Sequence, residues 1–206
     1  MAMMKKIVIF EDANNGEEIR QRKKDMNSFR KAITAFFKQQ NSKPEIELCL
    51  FDGVYELDME DDFNDSVRPK RSFDSMGNSL PEYYKDEFIA CLEKCKGEVL
   101  FLIDYTWSYR DGNNNWVDNH EFAQDAVDEI IGYTKEEDKS PCYCIVYTTQ
   151  LRTDMKRWIM EKLDKNPKLK KQLAYMAYNA GDLLGTRYEL HKKLSELLGG
   201  GEDERG

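Results

Sequence analysis

Three carboxylates and a hydroxyl stand where apolar runs end. Ile7–Phe10 closes on Glu11-Asp12, Val99–Ile103 closes on Asp104, and Cys142–Tyr147 closes on Thr148-Thr149. A buried strand that ends in acid delivers that side chain to its carboxyl end, where open α/β sheets bind their ligands. Oxygen ligands of this kind suit a hard divalent cation such as Mg²⁺, which takes few carboxylates and keeps several waters. Glu11, Asp12 and Asp104 are therefore candidate metal ligands. A carboxylate beside such an ion can attack a phosphoryl group, because the metal offsets the charge repulsion. One of these carboxylates is then a candidate nucleophile, with the Thr148 hydroxyl able to donate to a phosphoryl oxygen.

Asp104 opens the stretch DYTWSYRDG, which reads as a loop carrying Trp107 and Tyr109 and closing on Asp111-Gly112. With Trp116 nearby, these aromatics serve either as a cover over the site or as a partner-binding surface. A second candidate surface is the basic stretch from Arg152 through Lys156 and Arg157 to Lys171. It is either a solvated helix face or a docking surface for an acidic partner. The five cysteines contain no C-x-x-C, and His120 and His191 are not spaced with them as ligands. Buried, reduced thiols are expected rather than a zinc site.

The elements that must position these groups follow from periodicity. Lys5–Phe10, Ile46–Phe51, Glu98–Ile103, Cys142–Tyr147 and Leu173–Tyr178 read as strands. Helices are expected at Gly16–Gln40, Leu80–Lys96, Asn119–Tyr133 and Thr153–Leu163, and from Gly181-Asp182 onward, each with apolar residues at three- and four-residue spacing. Pro81 sits early in the second helix and Gly97 follows it. Val54–Ser79 carries an acidic run and then a basic one, with no sustained period, and is expected as a long inserted loop. Strands alternating with helices imply a parallel sheet covered on both faces. The expected fold class is α/β: a flavodoxin-like, doubly wound, five-stranded parallel sheet of order 2-1-3-4-5, with an insertion between strands 2 and 3. One domain over residues 1–198 and a disordered tail over 199–206 complete the expectation.

Bulk properties narrow the function classes. A net charge of −8 disfavours broad nucleic-acid binding, which needs a basic face. No apolar stretch reaches membrane-spanning length. MAMMKKIVIF lacks the apolar length and cleavage site of a signal peptide, so a cytoplasmic location is expected.

In this order, the acid pair of KIVIFED, Asp104, Asp111-Gly112 and Thr148 of IVYTT resemble the receiver domain of two-component response regulators. The resemblance spans most of the chain outside Val54–Ser79 and the tail. It implies that Glu11 and Asp12 hold Mg²⁺, that Asp104 accepts a phosphoryl group, and that Thr148 senses it. It also implies a partner such as a histidine kinase, a phosphotransfer protein or an effector. Through the face of the fourth helix, fifth strand and fifth helix it further implies docking or homodimerisation. Two departures matter. The lysine that the family places at the end of strand 5 is replaced in AYMAYNAGD by Tyr178 and Asn179, and Ser108 stands in the place of the loop proline. Losing that lysine removes a charge-assisted contact. The expected function is thus a stand-alone, atypical receiver-like signalling protein that acts through protein–protein contacts. The competing class is a Mg²⁺-dependent phosphohydrolase or nuclease using the same carboxylates. Neither the D-x-D of haloacid-dehalogenase phosphatases nor that of Toprim nucleases is present at the strands that would carry it.

Overall fold

Every residue of Val99–Asp104 is buried, as a strand covered on both faces requires. The computed structural model describes residues 4, 6–11, 16–50, 53–56, 88–90, 92–93, 98–110, 116–133, 141–148, 153–178 and 182–199. In chain order the strands are β1 (Lys6–Phe10), β2 (Glu45–Leu50), β3 (Gly53–Glu56), β4 (Val99–Asp104), β5 (Trp107–Arg110), β6 (Trp116–Asn119), β7 (Cys142–Thr148) and β8 (Leu173–Ala177). The helices are α1 (Gly16–Gln39), α2 (Glu121–Tyr133), α3 (Thr153–Lys165) and α4 (Leu183–Leu198), with a 3₁₀ turn at Pro167–Lys171. Residues 88–90 and 92–93 are also helical, inside the span expected for a helix.

The main sheet has the order β3-β2-β1-β4-β7-β8. Its five parallel strands, β2-β1-β4-β7-β8, reproduce the flavodoxin-like order 2-1-3-4-5. Successive residues face opposite layers. Ile7, Ile9, Leu100, Leu102, Ile145 and Tyr147 meet Phe29, Ile33, Leu190 and Leu194 of α1 and α4. Val8, Phe10, Phe101, Ile103, Cys144 and Val146 meet Phe88, Phe122, Val127, Met155 and Ile159 on the other side. The result is a helix–sheet–helix sandwich.

The structure corrects three expectations. Val54 does not open a loop: Gly53–Glu56 folds back antiparallel on β2 and extends the sheet edge. Trp107–Arg110 is not loop either, but pairs antiparallel with β6 as a two-stranded ribbon. Asn119 belongs to β6, so α2 starts at Glu121. The remainder of the insertion, and residues 200–206, lie outside the described residues. Cys49, Cys142 and Cys144 are buried and take part in no disulfide, as expected of reduced thiols. Among the described residues, no helix is long and apolar enough to cross a membrane.

Candidate functional site

The carboxyl ends of β1, β4 and β7 lie side by side, because β4 pairs with both of the others. Phe10 stands opposite Ile103, so Glu11 follows beside Asp104, and Asp104 stands opposite Tyr147. The pleat then decides which side chains share a face. Glu11, Asp104 and Tyr147 continue the alternation of Ile9, Leu102 and Ile145 toward α1 and α4. Thr148 continues that of Val146 and Cys144 toward α2 and α3. The expected acid–hydroxyl convergence is therefore split by the sheet: the register brings Glu11 to Asp104 and assigns Thr148 to the opposite face.

Glu11 and Asp104 are both buried, with exposures of 1% and 5%. The Tyr147 hydroxyl donates to Oε2 of Glu11. The same hydroxyl lies 3.3 Å from the Phe10 carbonyl oxygen and 3.9 Å from the Met26 sulfur. Its ring packs on Phe29 (5.2 Å) and Tyr178 (6.3 Å), and Phe29 meets Tyr178 at 5.3 Å. Tyr178, in the place of the expected lysine, is thus part of an aromatic cluster beneath the acids. Asp104 is held more locally. Its Oδ1 accepts from the Thr106 amide at 3.3 Å, and its carbonyl accepts from the Trp107 indole at 2.8 Å.

Trp107 is 3% exposed and meets Phe122 of α2 edge-on at 4.7 Å. Burial removes it from any interaction surface and makes it a cover for the end of β4. Tyr109 is placed by its backbone alone, in β5. Asp12, Asp111-Gly112, Thr149 and Arg152 lie outside the described residues. Lys156 and Arg157 are exposed on α3. Lys162 of the same helix is engaged with Asp128 of α2.

The residue that sequence reasoning missed is His120. Its ring stacks on Tyr105 at 4.4 Å and 6°, and its Nδ1 lies 3.1 Å from the Tyr105 carbonyl oxygen. Its Nε2 is 3.9 Å from Asp154 of α3. The available signal was its place immediately before α2, where its carbonyl accepts the first helical bond from Gln124. Among the described residues, no three His, Cys, Asp or Glu side chains are grouped so that they could hold a metal ion. A buried Glu11 that takes the Tyr147 hydroxyl is a poor match for Mg²⁺, an ion that keeps several waters.

No protein-family model matches the chain, and no curated protein matches it in sequence. Among solved structures it is similar to the pilus adhesin SpaC from Lactobacillus rhamnosus GG, at 10% identity and a TM-score of 0.36, over 93% of this chain and 30% of the adhesin. The open conformation of that adhesin gives 9% identity and a TM-score of 0.35, over 94% of this chain and 30% of the adhesin. The chain thus spans less than a third of the adhesin's length.

Proposed function

We propose that this chain is an atypical receiver-like signalling protein that works through protein–protein contacts, without phosphotransfer at Asp104. The observation that carries this reading is the hydrogen bond from Tyr147 to Glu11. The receiver resemblance asks the first-strand acid to face a hydrated metal ion, and here that carboxylate is buried and bonded to a tyrosine of β7. Two further features support it. Tyr178 fills the lysine position with a ring packed on Phe29, and Thr148 faces the other layer. A phosphoryl group on Asp104 would add negative charge beside Glu11.

The test is intact-mass measurement after incubation with millimolar acetyl phosphate and Mg²⁺. We expect an unchanged mass. An adduct that disappears in Asp104→Asn overturns the reading. So does turnover of a phosphate ester that the same variant loses.

A further inference from the structure

The sheet ends at β8: among the described residues, no strand pairs with its outer edge. Which backbone groups point outward follows from two bonds to β7. The Gln172 carbonyl accepts from Cys144, and the Tyr178 amide donates to Thr148. In a parallel ladder each residue aims both its N–H and its C=O to one side, and the side alternates. Even-numbered residues of β8 therefore face β7, and Leu173, Tyr175 and Ala177 direct their amides and carbonyls away from it. An outward row of this kind is a template for another strand.

The charge around this edge is one-sided. Lys168, Lys170 and Lys171 lead into β8 and are exposed, as is Lys165 at the end of α3. From α4, Lys193 lies over the Tyr175 ring at 5.9 Å. Against these five stand Asp164 on α3, Asp182 beyond the end of β8 and Glu196 on α4, the last paired with Lys193. This local excess is positive in a chain of net charge −8. A second copy added antiparallel would set these lysines near residues 177–182 of its partner, where Asp182 is the exposed acid among the described residues. That leaves most of the charge unmatched.

We infer that the outer edge of β8 binds an extended, acidic segment of a partner protein by strand addition. The main-chain groups of Leu173, Tyr175 and Ala177 supply the pairing, and the lysines before β8 select for acid. Backbone pairing gives affinity and flanking side chains give specificity in this mode. The inference rests on the protein-contact reading above and names the partner's chemistry.

The probe is a fluorescein-labelled decapeptide alternating glutamate with valine and threonine, titrated into the full chain. Its control carries lysine in place of glutamate. We expect the acidic peptide to bind, added salt to weaken it, and amide exchange to slow at Leu173, Tyr175 and Ala177. Ala177→Pro removes one outward donor and spares the ladder to β7. It should weaken binding at least tenfold while exchange at Ala174 and Met176 stays unchanged. The triple variant K168E/K170E/K171E should do the same. Three results overturn the inference: equal binding of both peptides or of neither, binding that Ala177→Pro leaves intact, or slowed exchange at the three residues that rises with protein concentration alone. Such a failure is distinct from failure of the wider reading, which an Asp104 phosphoryl adduct would overturn whatever this edge does.

Discussion

Glu11 follows β1 inside the fold, and its carboxylate accepts there from the hydroxyl of Tyr147. Removing one partner of a buried polar pair leaves the other to bear its desolvation cost, about 1–3 kcal/mol and more when it is charged. Tyr147→Phe keeps the ring contacts to Phe29 and Tyr178 and deletes only the donor. We expect it to lower stability by about 1–3 kcal/mol in urea denaturation, with a smaller loss in a Glu11→Gln background. A loss of similar size in both backgrounds would show that the hydroxyl acts through some other contact. Two other side chains carry a pH argument. Burial, and then the neighbouring Cys142, push the Cys144 thiol up. Burial, and then the charge of Glu98, raise the Tyr143 phenol. A raised folded value means that the fold favours the neutral form. That stability is fully present below the unfolded value, about 10 for tyrosine, and is lost as pH rises toward the folded value. Tyr143→Phe should therefore flatten the alkaline fall in melting temperature. Cys144 should resist iodoacetamide at pH 8 until the chain is denatured, because the thiolate is the reactive form.

Helix α4 shows how one element start depends on two residues. Asp182 caps it, with Oδ1 accepting from the Gly185 amide at 2.9 Å. The folded-back carboxylate occupies the space that a Cβ on Gly185 would need. In an open helix, Gly→Ala gains about 1 kcal/mol, and losing an acidic N-cap costs about 1 kcal/mol. Gly185→Ala alone should therefore bring no gain, because the new methyl expels the cap. In an Asp182→Ala background the same change should stabilise by about 1 kcal/mol. Additive effects in thermal melts would show that cap and glycine are independent. This start was legible in the sequence as Gly181-Asp182 before an apolar period, as were the five parallel strands. The β5–β6 ribbon was legible in principle. Trp107–Arg110 and Trp116–Asn119 flank the run Asp111–Asn115, but DYTWSYRDG reads as one loop closing on Asp111-Gly112. The split between Asp104 and Thr148 was not legible. A one-residue difference in register moves a side chain to the other face, and pairing is not written in either strand alone.

At the scale of the whole molecule, the two hydrophobic layers share their strands residue by residue. On β4, Phe101 faces the α2 and α3 layer while Leu100 and Leu102 face the α1 and α4 layer. No strand can leave one layer and keep its place in the other, so damage on either side should be felt throughout. Phe101 is fully buried against Phe88 at 5.0 Å, and Phe29 is fully buried between Tyr147 and Tyr178. Truncating either to alanine should cost about 3–5 kcal/mol, the range for a buried phenylalanine. Against a total of roughly 5–15 kcal/mol, each change consumes a large share of the stability. Two of the three tryptophans, Trp107 and Trp158, pack in the α2 and α3 layer and weight tryptophan emission toward it, whereas far-ultraviolet circular dichroism reports both. We expect Phe29→Ala, in the layer remote from those tryptophans, to shift both signals to one common midpoint. If the emission midpoint stays at the wild-type value while the dichroism midpoint falls, the layers unfold separately and the shared-strand argument fails.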